Sequence, residues 1–113
     1  MTVTLDLQPE IFGTIQPEPA TPTVVVTTAA NRPGQVNVFI TNNETYLDRV
    51  RLQLKPADTA MQAKQFILYN TPIIAGHTVT ISLLFVGVGD QIIVYSESGA
   101  CTFTVSGTAF VYA

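Results

Sequence analysis

The stretch Arg49-Val50-Arg51-Leu52-Gln53-Leu54 alternates without a fault: Val50, Leu52 and Leu54 fall on one side, Arg49, Arg51 and Gln53 on the other. Successive side chains of a β-strand point to opposite faces, so a period of two makes a strand with one core face and one outer face. The same rule repeats outward from it. Gln35 to Thr41 sets Val36, Val38 and Ile40 on one face. His77 to Leu84 sets Val79, Ile81 and Leu83 against Thr78, Thr80 and Ser82. Thr23 to Thr28, Phe66 to Tyr69, Gln91 to Ser96, Cys101 to Val105 and Thr108 to Tyr112 bring the total to about eight short strands.

Turn chemistry separates these runs. Asn31-Arg32-Pro33-Gly34, Asn42-Asn43-Glu44, Asn70-Thr71-Pro72, Ala75-Gly76, Gly87-Val88-Gly89-Asp90 and Ser98-Gly99 all supply residues that fix or free φ. Ser106-Gly107 reads as one more break. Pro56 to Lys64 is polar and Ala-rich, a loop or one helical turn. No segment has the length or period of a proper helix. Short antiparallel strands with one apolar face each predict an all-β domain, an antiparallel β-sandwich of immunoglobulin-like or jelly-roll-like kind. Its expected core is Val36, Val38, Ile40, Val50, Leu52, Leu54, Val79, Ile81, Leu83, Ile92, Val94, Phe103 and Val105.

Composition agrees. Thr, Val and Ile number 16, 13 and 9 among 113 residues, and β-branched side chains favour the pleated surface of a sheet. The length suits one domain, and the 47% apolar content excludes disorder. Charged residues make only 12%, against roughly 25% in an ordinary soluble domain. A chain this neutral is expected to hide surface against partners, although a Thr, Ser, Asn and Gln coat also dissolves. The five cations are scattered and the net charge is −3, which gives no field for phosphate and sets nucleic-acid binding aside. The start of the chain lacks a basic and then apolar leader, and no run spans a bilayer, so neither secretion nor a membrane partner is expected.

Residues 1–22 differ from the domain at 23–113. Val3, Leu5 and Leu7 alternate with polar neighbours, and then Pro9, Pro17, Pro19 and Pro22 follow. Prolines at this density forbid helix and central strand. The expectation is an extended, Pro-rich N-terminal arm, its apolar tip suited to pairing with another chain's sheet edge.

Catalytic equipment is missing from the pattern. His77 is the single histidine and Cys101 the single cysteine, so a Ser-His-Asp set hangs on one strand-end residue and no internal disulfide forms. No metal site is expected, since ligands need to converge. Glu44 and Asp48 share one turn region, and solvation there explains them more simply than a cation does. Asp90 is expected to cap the Gly87–Gly89 turn, and Cys101 to be a buried thiol beside Phe103 and Val105. No cofactor motif is present: Gly87-x-Gly89 precedes no helix, and Asn43-Glu44-Thr45 matches the glycosylation sequon without a leader to expose it. The expected character is non-enzymatic.

Contact residues are more visible. Phe39 lies between inward Val38 and Ile40, and Ile93 and Tyr95 alternate with Ile92 and Val94, so all three are expected to face outward. Phe110 and Tyr112 share a face of the last strand. With Val3, Leu5 and Leu7 of the arm they form the expected interaction set.

From about Thr27 onward, over about 80 of the 113 residues, the layout resembles small β-sandwich structural proteins of tailed bacteriophages. The pattern is carried by Ile74-x-Gly76-x-Thr78-Val79-Thr80-Ile81, Gly89-Asp90-x-Ile92, Val94-x-Ser96 and Val105-Ser106-Gly107. The resemblance implies a virion component assembled in the host cytoplasm. In that reading the chain is a capsid cement or decoration protein, bound to the major capsid protein or other virion proteins and to copies of itself, with trimers favoured. A tail, baseplate or fibre module is the alternative. A carbohydrate-binding sandwich is a third reading, with Tyr46, Tyr69 and Tyr95 as stacking platforms.

Overall fold

A computed structural model describes residues 5–27 and 33–112, with the side chains of Leu5, Asp6 and Tyr112 left aside. Eight strands are present: β1 Leu5–Ile15, β2 Thr23–Thr27, β3 Gly34–Asn42, β4 Asp48–Lys55, β5 Phe66–Ile73, β6 Thr78–Val86, β7 Gln91–Ser96 and β8 Cys101–Tyr112. One 3-10 turn, Ala63–Gln65, precedes β5. The strands form two four-stranded antiparallel sheets, ordered β1-β8-β3-β6 and β2-β7-β4-β5.

The pairing follows one rule. β1 pairs β8, β2 pairs β7, β3 pairs β6 and β4 pairs β5. This is a single long hairpin rolled up, closed into two sheets by β3–β8 and β4–β7. That connectivity is the jelly roll, the second of the two sandwich types the sequence allowed. Between the sheets lies a core of Val26, Val36, Val38, Ile40, Val50, Leu52, Ile73, Val86, Ile92, Val94, Cys101, Phe103 and Val105. Leu54, Val79 and Ile81 pack against it while partly buried.

The segment expected as an arm divides differently. Leu5–Ile15 is the first strand of the roll and pairs with this chain's own β8, from Leu5 opposite Tyr112 to Ile15 opposite Phe103. β1 is an edge strand, the one place in a sheet where Pro9 is tolerated. The remaining prolines carry the chain from one sheet to the other. Pro17 is buried, Pro19 packs on Gly99, and the Ala20 amide donates to Ser96 O at 2.9 Å.

Two further readings are corrected by backbone detail. Ser106-Gly107 does not break a strand: β8 runs unbroken from Cys101 to Tyr112 through it. Leu83 is not core. Val36 pairs Leu84 and Val38 pairs Ile81, so a bulge at Ser82 and Leu83 faces Asn37 alone. Leu83 takes φ +62° and is 71% exposed, its amide donating to Asn37 Oδ1 at 3.1 Å, and Leu84 takes the inward place instead. Left-handed backbone costs a branched residue roughly 1–2 kcal/mol, and Asn tolerates it. Leu83→Asn is therefore expected to raise stability by about 0.5–1 kcal/mol in a urea melt.

Candidate functional site

The outer face of the second sheet carries an unusual side-chain arrangement. Alternation on β4 turns Arg49, Arg51 and Gln53 outward, and Arg51 lies opposite Tyr95 of β7. On its other side β5 is irregular. Thr71 pairs Val50 and Leu68 pairs Leu52, so Tyr69 and Asn70 together face Arg51, with Asn70 at φ +50°. A second irregularity follows before Phe66 pairs Gln53. Three residues apart on a regular strand, Phe66 and Tyr69 would point to opposite faces; the bulge places their rings edge to face, 5.0 Å between centroids.

Arg51 is thus held by both neighbouring strands. Its guanidinium carbon lies 4.5 Å from the Tyr69 ring centroid and 4.3 Å from that of Tyr95, a double cation–π contact. Nε donates to Asn70 Oδ1 at 2.8 Å. These contacts fix the guanidinium plane, and among the described residues no carboxylate pairs with it. An open groove of about 570 Å³ runs beside it, lined by Arg51, Gln53, Met61, Gln62, Ala63, Phe66 and Tyr69. Tyr69 is 58% exposed at its rim.

The wall of the groove is the 56–65 loop, pinned down by amides. Gln53 Nε2 donates to Gln65 Oε1 at 2.7 Å, and Gln65 Nε2 donates to Ala60 O at 3.0 Å and Thr59 Oγ1 at 3.3 Å. Gln53 is buried, and its Oε1 has no hydrogen-bond partner. This loop and Pro22 close a smaller recess over Ile93. Ile93, expected as an outward contact residue, points away from the core yet is only 6% exposed because the recess covers it.

The first sheet presents a different outer face. Leu7 and Ile11 of β1 are exposed there, opposite Phe110 and Ser106 of β8. Phe110 stacks on exposed Phe85 of β6 at 6.1 Å and 29°. Phe39 is half-exposed farther along, between Thr80 and Thr104. Of the expected contact set, Leu7, Phe39 and Phe110 therefore share this face, and Tyr95 belongs to the Arg51 site. The backbones of Leu5 and Tyr112 pair at the end of the β1–β8 ribbon. Val3 lies outside the described residues.

Two carboxylates, Asp48 and Asp90, hold turns of the fold. Asp48 is not a solvated turn carboxylate: it is 1% exposed. Its Oδ1 accepts from the Arg49 amide at 2.8 Å, the Ser98 amide at 3.0 Å and the Ser98 hydroxyl at 2.8 Å, and its Oδ2 accepts from the Ser96 hydroxyl. Asp90 accepts from the Gly87 amide at 2.8 Å and the Ala57 amide at 2.9 Å. His77 is an exposed turn residue. Among the described residues no three His, Cys, Asp or Glu side chains gather at a point, and no helix is long and apolar enough to cross a membrane.

Cys101 is buried, and burial first, then the Asp48 carboxylate, pushes its thiol up to about 12. The thiolate is the reactive species, so thiol reagents at pH 8 are expected to label the chain only after denaturation. The sign of the linkage follows. The unfolded thiol ionises near its ordinary value of 9.0 while the folded one keeps its proton. The contribution to stability is therefore intact below pH 9 and is lost as pH rises toward 12.

Arg51, Gln53, Phe66, Met61, Ile11 and Phe85 were not legible as site residues. Arg51 is one of five scattered cations in sequence, and spacing alone sets Phe66 and Tyr69 on opposite faces. Of the three tyrosines noted as platforms, Tyr69 and Tyr95 meet through Arg51, while Tyr46 remains in the β3–β4 connection. No family model, curated protein or solved structure matches the chain.

Proposed function

We propose that the chain is a non-enzymatic structural part of a tailed-phage virion, a capsid cement or decoration protein that packs against the shell and against copies of itself. The observation that carries this reading is the outer face of the first sheet. Leu7, Ile11, Phe39 and Phe85 are apolar and exposed, with Phe110 partly buried against Phe85, in a chain with only 12% charged residues. Leaving such side chains in water forgoes roughly 25 cal/mol per Å², which a partner surface recovers. The pattern at 74–81, 89–96 and 105–107 adds its likeness to phage sandwich proteins. The jelly roll adds a fold-level association with capsid modules. In this reading the binding surface is the outer face of β1 and its neighbours rather than a free arm.

Fractionated virions test it. Hundreds of copies in purified heads are expected, and absence from heads overturns the proposal. A few tens of copies in tails would assign the chain to a tail, baseplate or fibre instead.

One observation favours a second reading, a carbohydrate-binding sandwich. Tyr69 and Phe66 make an exposed aromatic corner beside a fixed arginine, and aromatic faces of this kind stack on sugar rings.

A further inference from the structure

We infer that the groove beside Arg51 binds a saccharide bearing a carboxylate, with Arg51 as the carboxylate's partner and Tyr69 as the stacking face. The inference rests on the carbohydrate reading and adds the charge of the sugar.

Three features of the groove lead there. The first is the state of Arg51. A surface arginine ordinarily swings free or pairs with an acid. Here two rings and Asn70 hold the guanidinium in one plane, and no acid of the described chain meets its two terminal nitrogens. A fixed guanidinium edge offers two parallel N–H donors, the geometry that matches a carboxylate. Because the side chain is already ordered, little rotamer entropy is lost on binding.

The second feature is shape. A groove of about 570 Å³, walled by the 61–63 loop, has the volume of a small-molecule site. It suits one or two rings rather than a long strand. The rest of the lining is aromatic, thioether and amide, with no further cation. A highly acidic peptide or a nucleic acid would meet only one positive charge here, whereas a sugar acid needs only one.

The third is Gln53. This residue lines the groove, and its Oε1 is a buried acceptor without a donor. Such an atom costs about 1–3 kcal/mol, and because it is closed to solvent a ligand hydroxyl meets it only where the side chains covering it shift. Hydroxyl donors and a carboxylate acceptor on one ring are what a sugar acid carries.

The test is an array of uronate- and sialate-bearing oligosaccharides, each printed beside its carboxyl-reduced counterpart, probed with the whole chain. Binding to carboxylated members is expected, with a tenfold or greater loss on carboxyl reduction. Arg51→Gln and Tyr69→Ala should each lower affinity at least tenfold. Arg51→Lys should restore less than a third of it, because an ammonium is not a planar fork. Unchanged thermal melting and unchanged sedimentation of each variant separate loss of the site from loss of the fold. Equal binding to reduced and carboxylated members overturns the inference and leaves the carbohydrate reading standing. No binding to any member overturns both. Tighter binding of a glutamate-rich peptide than of any sugar overturns both as well, and makes the groove a protein contact.

Discussion

Gly107→Ala is expected to destabilise the domain by about 3 kcal/mol, measured by urea denaturation, without a change in backbone torsion being required. A Cβ built on Gly107 would lie 2.1 Å from Gln35 O and 2.7 Å from Val36 Cα. Both atoms are backbone of β3, which pairs β8 here with Val36 opposite Gly107. A backbone atom in a central ladder cannot step aside as a side-chain tip does. The two strands must separate, and the β3–β8 ladder is what joins the two halves of the first sheet. Gly76→Ala is the control. Gly76 also breaks the pattern, but its site is open and its constraint is φ +74°. Its substitution is expected to cost only about 1 kcal/mol. If Gly107→Ala is as mild as Gly76→Ala, the close approach is not what selects glycine in β8.

Asp48→Ala is expected to cost about 3 kcal/mol at pH 7. The carboxylate gathers donors from three places: its own strand end at Arg49, the end of β7 at Ser96, and the β7–β8 turn at Ser98. Removing it leaves the Ser98 and Arg49 amides and two hydroxyls without their acceptor, and each buried orphan costs about 1–3 kcal/mol unless water reaches it. Asp48→Asn keeps one acceptor oxygen and should cost about 1 kcal/mol.

A pH series gives an independent check on the same residue. Burial pushes the Asp48 carboxyl up, but the bonds from Ser96, Ser98 and Cys101 outweigh it and hold the group below its ordinary value of 3.8. The unfolded chain therefore takes up a proton first as pH falls. The stabilisation is complete above pH 3.8 and is lost as pH drops below it through the folded value. Asp48→Asn should flatten that acid limb. A wild-type limb that survives in Asp48→Asn would show that another carboxylate governs it.

The fold class was legible because burial of one face imposes a period of two, and Val50-x-Leu52-x-Leu54 or Val36-x-Val38-x-Ile40 satisfies it residue by residue. Leu83 shows where that logic stops. One extra residue in β6 inverts the pattern beyond it, and the residue that tips outward is chosen by the opposing strand, here by Asn37, not by local spacing. Ser106-Gly107 failed for the opposite reason. Glycine permits a turn and also permits close approach, and only the neighbouring β3 backbone selects between them. The N-terminal segment was expected as an extended arm for another chain, whereas residues 5–15 form an edge strand of this chain's own sheet. Its partner, β8, lies about a hundred residues away in sequence, beyond the reach of any local signal.

The sequence by itself determined an all-β chain with strands of one apolar face, because composition and period are properties of single strands. The tertiary structure decided that the roll closes as β1–β8 through β4–β5, that Ile93 is covered, and that Arg51 stands between two tyrosines. Each of these depends on which strands become neighbours and on where a bulge falls. Those are settled by packing and ladder hydrogen bonds summed over the whole sheet, and no window of sequence contains them.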